Sequence, residues 1–504
     1  MVVKLPTYVV TTARILLKEG FKAYLVGGAV RDAFLGAVPA DYDIATDALP
    51  EDLIKIFPKA IAVGAKFGTI LVVQRDINGE NFSTEVTTLR SEEEYIKGRW
   101  PTKVTFVRNI NEDLKRRDFT INAMAVDMGQ KGVEYLIAPI ASDEVELSNL
   151  KEYEFDIVDP FGGRDDIERK VLRTVGNPVE RFTEDGLRTY KACRLAAQLG
   201  FEIEKETFSA ITECLTVARM ISSERIRDEF MKLLLKAPKP SVGIDLMRQT
   251  GLLEIFLPEL IKCIGVDQPI GHAFDVYDHT LRTVDLASDN IRLAALFHDI
   301  GKADTGTPDG HFYGHDQIGA EITKKVMRRM RFSSKEIKKV SELVRWHMFM
   351  YPFEKVEDTT DNSDKKDIRI STENQSEGSS KEFKGWSDSA VRRFIKRVGL
   401  ENLDDLFALR IADGTSEPVS MWDPQEIVEL QQRISQVLAE DTAFKVSDLA
   451  INGNQLMKKF DLKPGKIVGT TLNYLLEVVL DNPNLNNKEK LLEAAEEFLS
   501  KQEK

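Results

Sequence analysis

Two stretches of this chain bring together side chains that can hold phosphate or metal. In the first, Ala23-Tyr24-Leu25-Val26 runs into Gly27-Gly28-Ala29-Val30-Arg31-Asp32, the pattern of a strand, a diglycine turn and a helix start. Glycine lets backbone approach a ligand closely, and a helix start offers free N–H groups to phosphate. Asp41-Tyr42-Asp43-Ile44 follows. On a strand, residues two apart point the same way, so Asp41 and Asp43 are expected to present adjoining carboxylates while Tyr42 and Ile44 turn into the core. Like charges this close repel, and a divalent cation resolves the conflict. Mg2+ held by one or two carboxylates plus substrate phosphates suits phosphoryl and nucleotidyl transfer. Glu85 is a candidate third carboxylate at a strand end.

The second stretch holds every histidine. All six lie between His272 and His347 in a chain of 504 residues. His279, His298-Asp299, His315 and His347, joined by Asp413, combine imidazole with carboxylate and contain no thiolate. That set suits hard or borderline divalent ions such as Mg2+, Mn2+, Fe2+, Ni2+ or Zn2+. His272 and His311 fit no spacing of this kind.

The elements that must position these groups follow from periodicity. Up to about Gly163 short β-rich runs (Ala23–Val26, Thr69–Val73, Ser83–Thr87, Val104–Val107) alternate with helical stretches, which predicts an α/β domain. Met1–Gly20 reads as one amphipathic helix. Beyond Asp166 the pattern turns helical, with Arg188–Leu199 and Glu224–Leu235 as clear amphipathic segments. Residues 129–155 read as an inserted hairpin or loop, and 356–382, rich in charge and poor in aliphatics, as a mobile insertion. The expected division is a head at 1–167, a helical neck at 168–265, a metal domain at 266–440 and a helical tail at 441–504.

Composition narrows the class. The chain carries 69 Lys+Arg against 82 Asp+Glu, a formal net charge of −13, and three cysteines that form no CxxC pair. It lacks a run near the ~18 apolar residues of a membrane span and a signal-peptide pattern. The expectation is a cytoplasmic protein with buried, inert thiols and no membrane partner. An acidic sum argues against a general nucleic-acid binder, although local patches can oppose it. Lys324, Lys325, Arg328, Arg329 and Arg331, and then Arg392, Arg393, Lys396 and Arg397, are candidate RNA-facing clusters.

LVGGAVRD (25–32), DYDIAT (41–46), RRDFTINAMA (116–125) and DPFGG (159–163) together resemble the head of the class II tRNA nucleotidyltransferase and bacterial poly(A) polymerase family. The resemblance implies a polymerase-beta-like α/β nucleotidyltransferase head followed by a mostly α-helical neck, an HD domain and a tail. It implies Mg2+ on Asp41 and Asp43, triphosphate against Gly27 and Gly28 with Arg31 nearby, and ribose and phosphate held by Arg116, Arg117, Asp118 and Asn122. YDHTL, ALFHDIGK, GHDQIGAE, RWH and ADG resemble an HD phosphohydrolase domain. This resemblance implies His279, His298, Asp299 and Asp413 as metal ligands, with His315 and His347 where two-metal versions place extra ones. In this family such a domain resembles a phosphatase or 2′,3′-cyclic phosphodiesterase; a metal-stabilised bundle is the other reading.

EDGLR (184–188) has its own logic. Asp185 and Arg188, three apart, are expected to share a helical face. An aspartate that accepts from an exocyclic amino group beside an arginine that donates to a ring nitrogen takes cytosine and adenine. Uracil and guanine have the reverse polarity and leave buried groups unpaired at about 1–3 kcal/mol each. In the resembling family this stretch reads the nucleotide, which brings in Glu184, Asp185 and Arg188, then Lys191 and Arg194. Lys191 stands where arginine is usual and loses the fork. SSERIRDE (222–229) reads as a brace. Residues 90–101 read as a mobile polar lid. The resulting expectation is CCA addition to tRNA from CTP and ATP, with A-only or poly(A) addition as the alternative, and an HD metal-dependent phosphohydrolase as the reading from another class.

Overall fold

The computed structural model describes residues 1–64, 68–76, 78–96, 100–129, 148–268, 273–351, 385–417, 423–439 and 443–502. It divides into two compact units. One comprises Met1–Ile261 with Arg329–Arg331, the other Lys262–Arg328 with Phe332–Lys504.

The first unit opens on β1 (Val2–Pro6), followed by a helix at Thr7–Lys18, so the N-terminal segment is not one continuous helix. Pro6 at the junction explains the break, since proline fixes an extended start and lacks the N–H that a continuing helix would need. The central sheet uses β2 (Tyr24–Val26), β3 (Asp43–Thr46), β4 (Ala60–Gly64), β5 (Thr69–Arg75) and β6 (Asn81–Thr88). A separate antiparallel pair is formed by β7 (Arg90–Ile96) and β8 (Trp100–Phe106), the segment read from sequence as a lid. β9 (Ala125–Asp127), β10 (Leu150–Glu154) and β11 (Asp156–Val158) follow. Residues 130–147 of the first insertion lie outside the described residues; its end forms β10, which pairs antiparallel with β1.

The sheet order is β11-β9-β2-β3-β6-β5-β4, mixed because β3 and β6 run parallel. Leu25, Ile44, Ile70, Val86 and Val126 are fully buried between the sheet and its helices. Each such side chain contributes roughly 1.5–3 kcal/mol relative to exposure. That packing holds the turn after β2 against the start of β3.

The neck follows the predicted helical pattern, with helices at Leu187–Leu199 and Ser223–Lys236. Asn177 caps the helix Pro178–Glu184 by accepting from the N–H groups of Val179 and Glu180. Helix continuity then stops at Asp185-Gly186. A Cβ on Gly186 would lie 2.7 Å from the Val217 carbonyl oxygen, so close backbone packing requires glycine there.

The second unit is helical among its described residues. Val276–Leu286, Arg292–Phe297, His315–Arg329, Ser334–Trp346 and Leu403–Ser416 carry the histidine cluster. Gly453–Phe460, Lys466–Asp481 and Lys488–Gln502 form the tail around Leu456, Leu475 and Leu491. The second basic cluster is not a free RNA-facing surface. Arg393 pairs with Glu477 and Asp481, Lys396 pairs with Glu477, and Arg392 is buried. Alternating charge along facing helices made these residues part of the packing between the helix Asp388–Val398 and the tail. The 356–382 insertion lies outside the described residues, as does His272. No described helix is long and apolar enough to cross a membrane.

Candidate active site and candidate metal centre

In the first unit, head and neck residues line one cleft of about 650 Å3. Its head wall includes Gly27, Gly28, Arg31, Asp41, Asp43, Arg116, Arg117, Asp118 and Asn122. Its neck wall includes Arg188, Lys191 and Arg194, on one stripe of the helix Leu187–Leu199.

Gly27 has φ +76°, which glycine adopts without strain. A Cβ there would lie 3.2 Å from Arg117 Nη1 and 3.5 Å from Asp43 Oδ2. Gly27→Ala therefore carries both a backbone penalty of about 1–2 kcal/mol and a displacement of Arg117. The expected outcome is a modest fall in thermal stability with a disproportionate loss of nucleotide binding, measured by calorimetry and equilibrium dialysis.

Strand β3 begins at Asp43, so Asp41 stands just ahead of it rather than on it. Both carboxylates nevertheless line the cleft, and Tyr42 and Ile44 are buried as predicted. Asp43 sits opposite Glu85 in the parallel β3–β6 register. Burial, reinforced by the charges of Glu85 and Asp41 against the pull of Arg117 and Lys191, pushes the Asp43 carboxyl up to about 6. A group so destabilised as an anion is where a cation would be most strongly favoured.

The remaining head residues form a connected network. Arg31 Nη1 donates to Asn122 Oδ1 at 2.8 Å, and Asn122 Nδ2 donates to Asp118 Oδ1 at 3.2 Å. Asp118 pairs with Lys191, which brings head and neck together across the cleft. Despite burial, Lys191, helped by Arg188 and Asn122, holds the Asp118 carboxyl well below the usual carboxylate range. Asp113 anchors Arg116 at 2.7 Å and Arg117 at 3.2 Å.

Glu184 and Asp185 are not among the cleft's lining residues. The expected Asp185–Arg188 helical face does not exist, because the chain breaks between the two helices. Arg188 instead donates to Glu184 at 2.5 Å and to the Arg116 carbonyl at 3.2 Å. Asp185 accepts from Arg225 at 2.8 and 3.2 Å and from the Leu187 N–H at 3.1 Å. Arg225 belongs to the segment read as a brace, and so does Glu229, which accepts from Arg194 at 2.7 Å.

In the second unit, two buried triads share one carboxylate: His279, His298 and Asp299, and then Asp299, His315 and His347. Asp299 Oδ2 lies 3.2 Å from His298 Nε2 and 3.5 Å from His279 Nε2. Its Oδ1 lies 3.4 Å from His315 Nε2 and 3.5 Å from His347 Nε2. Asp413 Oδ1 is 3.0 Å from His279 Nε2. The outward nitrogens are fixed by carbonyls: Nδ1 of His298, His315 and His347 contacts Ala295, Phe312 and Val344, each at 2.7 Å. Such contacts aim the Nε2 atoms inward, as metal ligands require. Asp299 Oδ1, His315 Nε2 and His347 Nε2 are buried with no hydrogen-bond partner, so this donor set fits a divalent metal. Against the effect of burial, His298 and Lys302 hold the Asp299 carboxyl well below its ordinary value.

Sequence reasoning missed three participants. Lys302 Nζ lies 2.7 Å from Asp299 Oδ2, and Ser416 and Glu417 meet His279 Nδ1 at 2.9 and 3.2 Å. Lys302 stands three residues after Asp299, a spacing that could have flagged it; Ser416 and Glu417 carry no comparable signal.

The domain series and site geometry can be set beside known proteins. Residues 23–173 match the model of the "Poly A polymerase head domain", 200–264 that of the "Probable RNA and SrmB- binding site of polymerase A", 271–375 the HD domain and 397–495 tRNA nucleotidyltransferase domain 2. The CCA-adding enzyme of Streptococcus gordonii is 43% identical over 241 residues, 48% of this chain and 52% of that one. That of Geobacillus kaustophilus is 43% identical over 247 residues, 49% and 53% of the two chains. The chain thus spans about half the length of the curated relatives it matches. The Bacillus stearothermophilus CCA-adding enzyme, solved in complex with CTP, is 27% identical with a TM-score of 0.65 over 98% of both chains. Taken segment by segment, the chain is similar to the tRNA nucleotidyltransferase and poly(A) polymerase family. Nucleotidyltransferase and HD domains typically use divalent metals, and the Asp41–Asp43 pair and the two histidine triads are groups of the kind that could hold them.

Proposed function

We propose that this chain is a CCA-adding tRNA nucleotidyltransferase of the cytoplasm, transferring CMP and AMP from CTP and ATP to the tRNA 3′ end and releasing pyrophosphate. The observation that carries the reading is the single cleft in which Gly27, Asp41 and Asp43 face Arg188 and Lys191. Asp41 and Asp43 would hold Mg2+, with Glu85 beside them. When bound, Mg2+ lowers the pKa of the attacking 3′-hydroxyl and offsets charge on the triphosphate. Arg116 and Arg117, already oriented by Asp113, offer forks to phosphate. Arg31, Asn122 and Asp118 form a rigid donor and acceptor row suited to ribose hydroxyls.

Base choice is assigned to Arg188 and Asp185. A carboxylate has about four acceptor positions, and the three contacts to Arg225 and Leu187 leave one for an amino group. Arg225 and Glu184 would position the pair, so that it works across the helix break rather than along one face.

Transcripts ending before CCA, after C and after CC, each incubated with labelled CTP or ATP, test the reading. CMP added to the first two and one AMP to the third supports it; incorporation of AMP alone moves the assignment to A-only or poly(A) addition. In the same assay Asp185→Ala is expected to raise UMP misincorporation about tenfold, the loss of one discriminating hydrogen bond. Unchanged UTP rejection would remove Asp185 from base reading.

The orphaned Asp299, His315 and His347 atoms favour a second, metal-dependent phosphohydrolase activity in the other unit. There His279, His298, Asp299, His315, His347 and Asp413 would hold the metal, which would supply activation of water for attack on a phosphate ester.

A further inference from the structure

The second unit carries a groove that neither candidate activity uses. It holds about 450 Å3 and lies between the helices His315–Arg329 and Ser334–Trp346. Residues 330–333 join these helices at one end, and the Asp316–Arg345 ion pair ties them at the other. They are therefore antiparallel, and the groove runs from Arg328 to Gln317, about 16 Å at 1.5 Å per residue. Helical spacing sets it apart from the metal centre. Lys324 follows His315 by nine residues, and Lys338 precedes His347 by nine. At 3.6 residues per turn that is two and a half turns, so both lysines stand on the faces opposite the histidines. Toward the connection Lys324, Arg328 and Lys338 meet the Ser334 side chain. Lys324 is held by Glu321 at 2.7 Å, and Lys338 only loosely by Glu342, at 3.8 Å. Arg345 is committed to Asp316, which leaves three cations facing two carboxylates. The uncompensated charge is Arg328, exposed and without an ion pair among the described residues. The floor is made by buried Ala320 and Ser341 beside half-buried Ile337.

We propose that this groove is a second nucleotide site, which takes a nucleoside di- or triphosphate with its phosphates on Lys324, Arg328 and Lys338 and its base over Ile337 and Ala320. A guanidinium fork flanked by two flexible ammonium groups matches a short phosphate chain. Lys324 and Arg328 are four residues apart, on one helical face and about 6 Å apart along the axis. A groove of this volume, with an apolar floor and a few polar groups around it, is of the kind that buries a small molecule. Two other occupants fit less well. An RNA backbone calls for a continuous basic track, whereas Glu321 and Glu342 interrupt the cations here. A bare anion would leave the floor at Ala320 and Ile337 uncovered. The site draws on no residue of the head cleft and no metal ligand, so it stands apart from the transferase reading.

Equilibrium dialysis of the full chain against labelled ATP counts the sites, and hydrogen exchange locates them. Wild type is expected to bind two equivalents and to gain amide protection across residues 315–346. Lys324→Ala/Arg328→Ala should weaken one class of site about a hundredfold, about tenfold for each lost charge-assisted contact, and should abolish that protection. Arg328→Lys keeps the charge and should retain most of the affinity, while Asp43→Ala should keep the protection of 315–346 intact. Unchanged ATP affinity in the double variant, or no protection of these helices by ATP in wild type, overturns the proposal. So does pyrophosphate binding in the groove as tightly as ATP, which would reduce it to an anion site. Loss of tRNA binding by the double variant with both ATP equivalents kept would give the cations to an RNA backbone and overturn it as well. If the head cleft binds no ATP and adds no nucleotide to RNA, the transferase reading fails on its own, while the equivalent in the groove remains.

Discussion

Asp43→Ala is expected to abolish nucleotide incorporation, a loss of at least about a thousandfold if Asp43 holds the metal at which charge develops. Near-normal incorporation would exclude the carboxylate pair as the metal site. The companion variant Asp43→Asn separates catalysis from folding. The Asp43 carboxyl is pushed up to about 6 in the folded chain, above its ordinary value of 3.8. Between roughly pH 4 and pH 6 the unfolded chain therefore loses this proton before the folded chain does, and wild-type stability falls as pH rises through that window. Asparagine does not ionise. In EDTA at neutral pH the Asn variant should unfold at a higher denaturant midpoint, by the equivalent of about 1–3 kcal/mol, with the difference gone below pH 4. Mg2+ should raise the wild-type midpoint and leave that of the variant unmoved. The site is thus expected to lower stability in exchange for metal affinity, as strained functional sites do.

The second large effect is expected at Asp299, the carboxylate common to both histidine triads. Asp299→Ala removes a ligand from each triad at once and leaves Lys302, normally 2.7 Å from Oδ2, buried without its counter-charge. Breaking a buried charge pair in this way is destabilising by about 3–5 kcal/mol. Metal content after dialysis, measured by mass spectrometry, should fall to background for this unit, whereas His315→Ala should spare the His279–His298 side. Hydrolysis of a nitrophenyl phosphate ester should vanish with Asp299→Ala while nucleotide addition persists. Retention of metal by Asp299→Ala would mean that the histidines are packing groups rather than ligands.

Much of this was legible in the residues. The strand–Gly27-Gly28–helix turn depends on local geometry, whereas the Asp41/Asp43 pair and the histidine cluster were legible from residue type, since only Asp43 is on the strand and the histidines gather from separate helices. The helices at Leu187–Leu199 and Ser223–Lys236 appeared within a residue or two of the amphipathic pattern. Other features were misread for identifiable reasons. Residues 2–6 form a strand because β10 lies beside them, a partner about 150 positions away. Arg392, Arg393 and Lys396 look like a free basic face until the tail supplies Glu477 and Asp481.

The sequence by itself determined which chemistries the chain can host, because donor type and short-range spacing are properties of neighbouring residues. Only the tertiary structure decided which groups act together. It set Arg225 against Asp185 across 40 positions and Lys191 against Asp118 across 73. It also broke the helix at Gly186, where the Val217 carbonyl leaves no room for a Cβ. Pairings of this kind depend on how elements pack, and side-chain periodicity along one element holds no information about the charge that another element will bring to it.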